Sequence, residues 1–243
     1  MSLRNTLFTH AEQKALFDHT FLARERLEEQ YASLPHQSET AAFGMWVFLA
    51  TEVMFFGTLF LAVGTYWIKA PEVIEHASVA LNWQIGALNT LVLLVSSLMM
   101  VLAIHSAQLN RTDRAYRYLL LTAGLGVCFL CFKAVEYYLD YRENLIPGFK
   151  FVDAEWTERG IDASQLGYVK IFLFLYWTMT GFHALHVTIG IVAVLVMAAL
   201  TRRGHFSAEY YSPLDVTGLY WHFVDVVWIF LFPTLYLLGT HKL

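Results

Sequence analysis

From residue 171 to 200 the chain runs without one Lys, Arg, Asp or Glu. Four further runs share that apolar character, at 44–67, 85–104, 118–139 and 219–240, interrupted by isolated polar groups. Each has about 20 residues or more, enough at about 1.5 Å per residue to cross a hydrocarbon layer of about 30 Å. Inside lipid every backbone polar group must be satisfied internally, so runs of this length fold as helices. The pattern predicts an all-α fold, a polytopic integral membrane bundle of five transmembrane helices. The fourth run is longer than the layer and predicts tilt or extension beyond it. Pro233 in the fifth predicts a local bend.

The two ends of the pattern divide the chain into 1–42, a polar amphipathic segment, and 43–243, the five-helix membrane domain. In the first, Thr9 with Glu12 fits a capping box, and Leu16, Phe17, Phe21, Leu27 and Tyr31 recur at helical spacing among charges. A non-spanning helix ending at Pro35 is expected there. The segment lacks the apolar core of a cleavable signal. Residues 140–170, with Pro147, Gly148 and Gly160, predict an irregular loop.

Composition narrows the class. Hydrophobic residues make up 57% and charged ones 15%, too apolar for an ordinary soluble domain. A formal charge of −4 leaves no basic field for nucleic acid. Cys128 and Cys131 stand three apart within an apolar run, where packing is the simpler reading than redox or metal chemistry. Basic residues set the orientation. Arg4, Lys14, Arg24, Arg26, Arg111, Arg114, Arg117, Arg202 and Arg203 gather on one side, against Lys69, Arg142, Lys150, Arg159, Lys170 and Lys242 on the other. The N-terminus is expected in the cytoplasm and the C-terminus outside.

Ionisable groups inside the spans must face protein, and they mark candidate function. Glu52 lies eight residues after Gly44, about 12 Å deep. His183 enters from the other side and reaches the same level, about 12 Å from the cytoplasmic face. The two are predicted hydrogen-bond partners. His186 lies one turn nearer the cytoplasm, and His222 and Asp225 open the last span in the same half. Lys133 and Glu136, three apart toward the opposite face, predict a structural ion pair. Two histidines at i and i+3 with a carboxylate elsewhere could begin a metal site, but a carboxylate di-iron bundle needs four carboxylates and two histidines at one level. A hydrogen-bonded network is the simpler reading, with no metal in this chain. Ser96, Ser97, Gly57, Gly64, Thr180, Gly181 and Gly190 are candidates for close helix packing.

Five strings occur in order, one per span: FGMWVFLATEVMFFGTLF (43–60), NTLVLLVSS (89–97), FLCFKAVEYY (129–138), TGFHALHVTIG (180–190) and YWHFVDVVWIFLF (220–232). They resemble subunit III of haem–copper cytochrome c oxidases, over about 200 residues. The resemblance implies a non-catalytic subunit of a proton-pumping aa3-type enzyme of a bacterial plasma membrane. It would pack against subunit I beside subunit II, with haem a and copper held by those partners and cytochrome c as electron donor. It further implies support of proton uptake, protection during turnover, phospholipid in a cleft and a proposed oxygen route. Glu52 matches the family's intramembrane acid. His183 and His186 match its TGFHxLH histidines, and His222 and Asp225 its WHFVD pair. Arg202, Arg203 and His205 fall where relatives contact lipid headgroups. Two departures stand out: longer members have seven spans, and Lys133 replaces a common Gln. A quinol-oxidase or nitric-oxide-reductase-associated subunit III is the nearest alternative. From another class, a stand-alone proton-coupled transporter would also carry intramembrane Glu and His, although no inverted repeat supports it.

Overall fold

A computed structural model describes residues 31, 33–148, 151–208 and 210–239. The helix expected at the N-terminus and the capping box at Thr9 lie outside them. Among the described residues there are seven α-helices: α1 (Leu34–Lys69), α2 (Pro71–Val79), α3 (Trp83–Gln108), α4 (Thr112–Arg142), α5 (Asp153–Glu158), α6 (Leu166–Arg202) and α7 (Ser212–Tyr236). Five of them, α1, α3, α4, α6 and α7, are long and apolar enough to span a membrane, and they coincide with the five predicted runs.

The ends are set by local chemistry. Ser33 caps α1 by accepting from the backbone N–H of His36, and Pro35 stands in the first turn, where its missing N–H costs nothing. Asn82 caps α3 in the same way. Three helices stop on a left-handed residue: Asn110 after α3 (φ 57°), Asn144 after α4 (φ 58°) and Gly204 after α6 (φ 74°). In each, the next N–H reaches back to a carbonyl of the last turn: Arg111 to Ser106, Leu145 to Asp140 and His205 to Leu200. Pro233 sits one turn before the end of α7, where its lost N–H is a single missing bond.

Helices α3, α4, α6 and α7 pack into a four-helix block. Trp221 fills its centre: a Cβ on Gly126 would fall 2.7 Å from that indole, and one on Gly190 2.9 Å. These two glycines let α4 and α6 close on α7. Gly86 against Phe232 and Gly218 against Ile104 do the same elsewhere. Gly57, Gly64 and Gly181, expected as packing positions, have open space around them, because their helices turn those faces outward. Helix α1 lies outside the block against α6 and α7, burying only Leu49, Phe56 and Val63 along one stripe.

The segment 140–170 is more ordered than its Pro and Gly content predicted. Helix α4 continues through Asp140 to Arg142, and α5 and the 3-10 turn Ala163–Gln165 follow. Buried Trp156 stacks on Phe151 at 5.9 Å, and Lys170 pairs with Asp153 at 2.8 Å. Aromatic burial, invisible to a turn-residue reading, holds this segment down.

Candidate functional site

Two polar clusters lie between the helices. The first joins α1 to α6. Glu52 and Phe56 are one helical turn apart on the face that meets α6, and Phe56 places its ring edge-on to His186 at 5.4 Å. His186 Nε2 then lies 3.1 Å from Glu52 Oε2, while its Nδ1 lies 2.8 Å from the carbonyl oxygen of Phe182. A carbonyl can only accept, so Nδ1 carries a hydrogen. The Nε2–Glu52 contact therefore holds one further proton, on the carboxyl or on the imidazole. The Tyr220 hydroxyl donates to the carbonyl oxygen of His186 at 3.1 Å and ties α7 to the same point.

The expected partner of Glu52 was His183, and the structure corrects it to His186. Glu52 meets α6 within one turn of the expected level, and the rotation of that helix presents His186 to it instead. His183 points the other way, into the block, where Phe129 and Trp228 enclose its ring at 5.5 and 5.1 Å and neither nitrogen finds a hydrogen-bond partner among the described residues. His222 and Asp225 also separate. His222 Nδ1 meets the Ser97 hydroxyl at 2.7 Å on α3. Asp225 is buried beside Ser97, but among the described residues neither of its carboxyl oxygens reaches hydrogen-bond geometry. Around them the indoles of Trp221 and Trp228 donate to Ser96 and Thr90 at 3.2 and 3.1 Å.

The second cluster lies toward the other end of the block. Lys133 and Glu136 pair at 3.0 Å as expected, with side chains 2% and 0% exposed. They do not stand alone. The Lys133 ammonium also donates to Tyr236 Oη at 2.9 Å, and the rings of Tyr137, Tyr176, Trp228 and Tyr236 surround it at 4.9–5.6 Å. This Lys cannot snorkel; aromatic faces and a carboxylate replace its water. Tyr236 donates to Glu136 Oε1 at 2.5 Å, and Tyr176 lies 3.1 Å from that oxygen and 2.8 Å from Asp140 Oδ2. Asp140, Tyr176 and Tyr236 escaped the sequence reading. The signal was present, because 133, 136 and 140 recur at helical spacing on one face.

Arg202 and Arg203 are exposed at the end of α6. With Leu120, Leu195 and Ala198 they line a groove of about 500 Å³, and Arg202 lies over the Tyr116 ring at 5.6 Å. His205 stands apart, against Phe206 and Tyr210. An apolar groove of about 480 Å³ runs between α1 and α7, past Phe56, Phe60, Phe223 and Phe230. Among the described residues no three His, Cys, Asp or Glu converge as a metal-ligand set.

Residues 149–240 match the family model described as cytochrome c oxidase subunit III. A probable cytochrome c oxidase subunit 3 of Rickettsia bellii (strain RML369-C) is 32% identical over 212 residues, covering 81% of this chain and 68% of that protein. The cytochrome c oxidase subunit 3 of Arabidopsis thaliana is 31% identical, with coverages of 81% and 68%. That of Pongo abelii is 30% identical over 90% of this chain and 77% of its own length.

Proposed function

The chain belongs to the cytochrome c oxidase subunit III family, and we propose that it serves an aa3-type respiratory oxidase as the subunit that sustains proton uptake beside the catalytic core. The observation carrying this reading is the Glu52–His186 contact at 3.1 Å, which fixes one proton between α1 and α6 at membrane depth. With Nδ1 locked to the Phe182 carbonyl, the proton passes between Oε2 and Nε2 without either ring or carboxyl having to turn. Haem a and copper belong to the partner subunits I and II, with this chain packing directly on subunit I and cytochrome c as donor to the complex. The N-terminus lies in the cytoplasm and the C-terminus outside a bacterial plasma membrane. Phospholipid occupies the two grooves. Arg202 and Arg203 hold a headgroup phosphate above the apolar wall of one, with His205 outside that groove, and acyl chains fill the other.

Two substitutions in the assembled oxidase test the proton role. Glu52→Ala removes clasp and proton together and is expected to lower pumping, shorten turnover lifetime or release the subunit. Glu52→Gln keeps a hydrogen bond to Nε2 but holds no mobile proton, so it should retain the subunit and still slow proton uptake. Unchanged pumping, lifetime and retention in both variants would refute the proposal. Mass spectrometry of the purified complex tests the lipid sites; no retained phospholipid would remove that part. A binuclear copper centre in the co-purified partner marks the cytochrome c branch, and its absence the quinol branch.

A further inference from the structure

The Lys133 cluster plays no part in that reading, and its hydrogens can be counted. Held as the ammonium by the Glu136 carboxylate and four aromatic faces, Lys133 Nζ can only donate, to Glu136 Oε2 at 3.0 Å and to Tyr236 Oη at 2.9 Å. The single Tyr236 hydrogen goes to Glu136 Oε1. Tyr176 has one hydrogen but two carboxyl neighbours, Glu136 Oε1 at 3.1 Å and Asp140 Oδ2 at 2.8 Å. If that hydrogen points to Asp140, the Tyr176 oxygen faces Glu136 with lone pair against lone pair. The cluster then carries one ammonium and two carboxylates, a net negative charge closed inside membrane helices. If it points to Glu136, the short contact to Asp140 needs a hydrogen that only Asp140 can supply. That arrangement supplies a hydrogen to each contact of the two carboxyl groups and leaves the cluster neutral.

The geometry points to a proton-binding site, in which Asp140 holds one exchangeable proton against Tyr176 and the Lys133–Glu136 pair carries the compensating charges. The groups facing it are Lys133, Glu136 and Tyr137 on α4, Tyr176 on α6 and Tyr236 on α7, with exposed Glu143 just beyond on its own chain. Asp140 is 3% exposed and closes the outer end of the site. Its carbonyl accepts from Leu145 as the chain turns back over the helix end, and exposed Arg142 and Glu143 lie immediately beyond. From there the cluster reaches seven residues inward to Lys133, about 10 Å. Loading and release therefore occur on the side bearing residues 143–148 and 151–165. When the proton leaves, it passes to water on that side and the cluster goes from neutral to one negative charge.

Infrared spectroscopy of the complete oxidase, grown with aspartate labelled with ¹³C at the side-chain carboxyl, reads this proton directly. The expected result is a protonated-carboxyl carbonyl band that moves with the label, shifts on transfer to D₂O and is lost in Asp140→Asn. Tyr176→Phe keeps Asp140 but removes its acceptor, so the band should persist at a shifted position with subunit III still bound. A label-sensitive spectrum identical in wild type and Asp140→Asn would overturn the assignment. So would a band unaffected by D₂O, which would make the proton a fixed structural one.

Discussion

The Glu52–His186 pair and the Lys133–Glu136 pair each set a carboxyl against a base within one bundle, on opposite terms. The first has side chains 18% and 13% exposed and adds a hydrogen bond to the apolar stripe that joins the peripheral α1 to the block. The second is sealed, and every helix around it adds a donor or an aromatic face. A sealed pair stabilises only while it is complete, because either partner alone becomes a charge with neither water nor counter-ion. A pair at a seam costs less to break and remains open to proton traffic. Burial thus separates the two pairs in what it costs to break them, where residue types do not.

That contrast breaks most sharply at Lys133. Lys133→Met strands Glu136 and should destabilise the isolated complex by about 3–5 kcal/mol, read as loss of subunit III in thermal or detergent challenge. The double variant Lys133→Met/Glu136→Gln should recover much of it, since no buried charge is left; no recovery would mean the aromatic cage, not the charge, is what Lys133 supplies. Gly126→Val drives two methyls toward the Trp221 indole and should cost about 1–3 kcal/mol in the same assay. His186→Ala removes the clasp on α1 at a cost of about 0.6–1.7 kcal/mol, with loosening confined to α1 in hydrogen exchange. Ser97→Ala, which frees His222, should be the mildest at about 0.6 kcal/mol, below the other three in one melting series.

All five spans were legible in the sequence because the membrane imposes one dominant rule, length of apolar run, and nothing in the fold overrides it. The Lys133–Glu136 pair was legible because its spacing is local. Pairing between helices was not: depth follows from counting residues, but the choice of His186 over His183 depends on how α6 is rotated, and that is set by distant contacts such as Gly190 against Trp221. Asp140 was misread as loop because the turn signals at Pro147 and Gly148 drew the boundary too early, although its helical spacing from Lys133 and Glu136 placed it on their face.

Leu49, Phe56 and Val63 recur at seven-residue intervals, so α1 is zipped to its neighbours along one line. A zip of that kind opens by peeling from an end rather than by unfolding what lies behind it. The acyl chain proposed for the hollow past Phe60 and Phe230 would then enter or leave sideways, while the Trp221 rivet keeps the remaining helices in register.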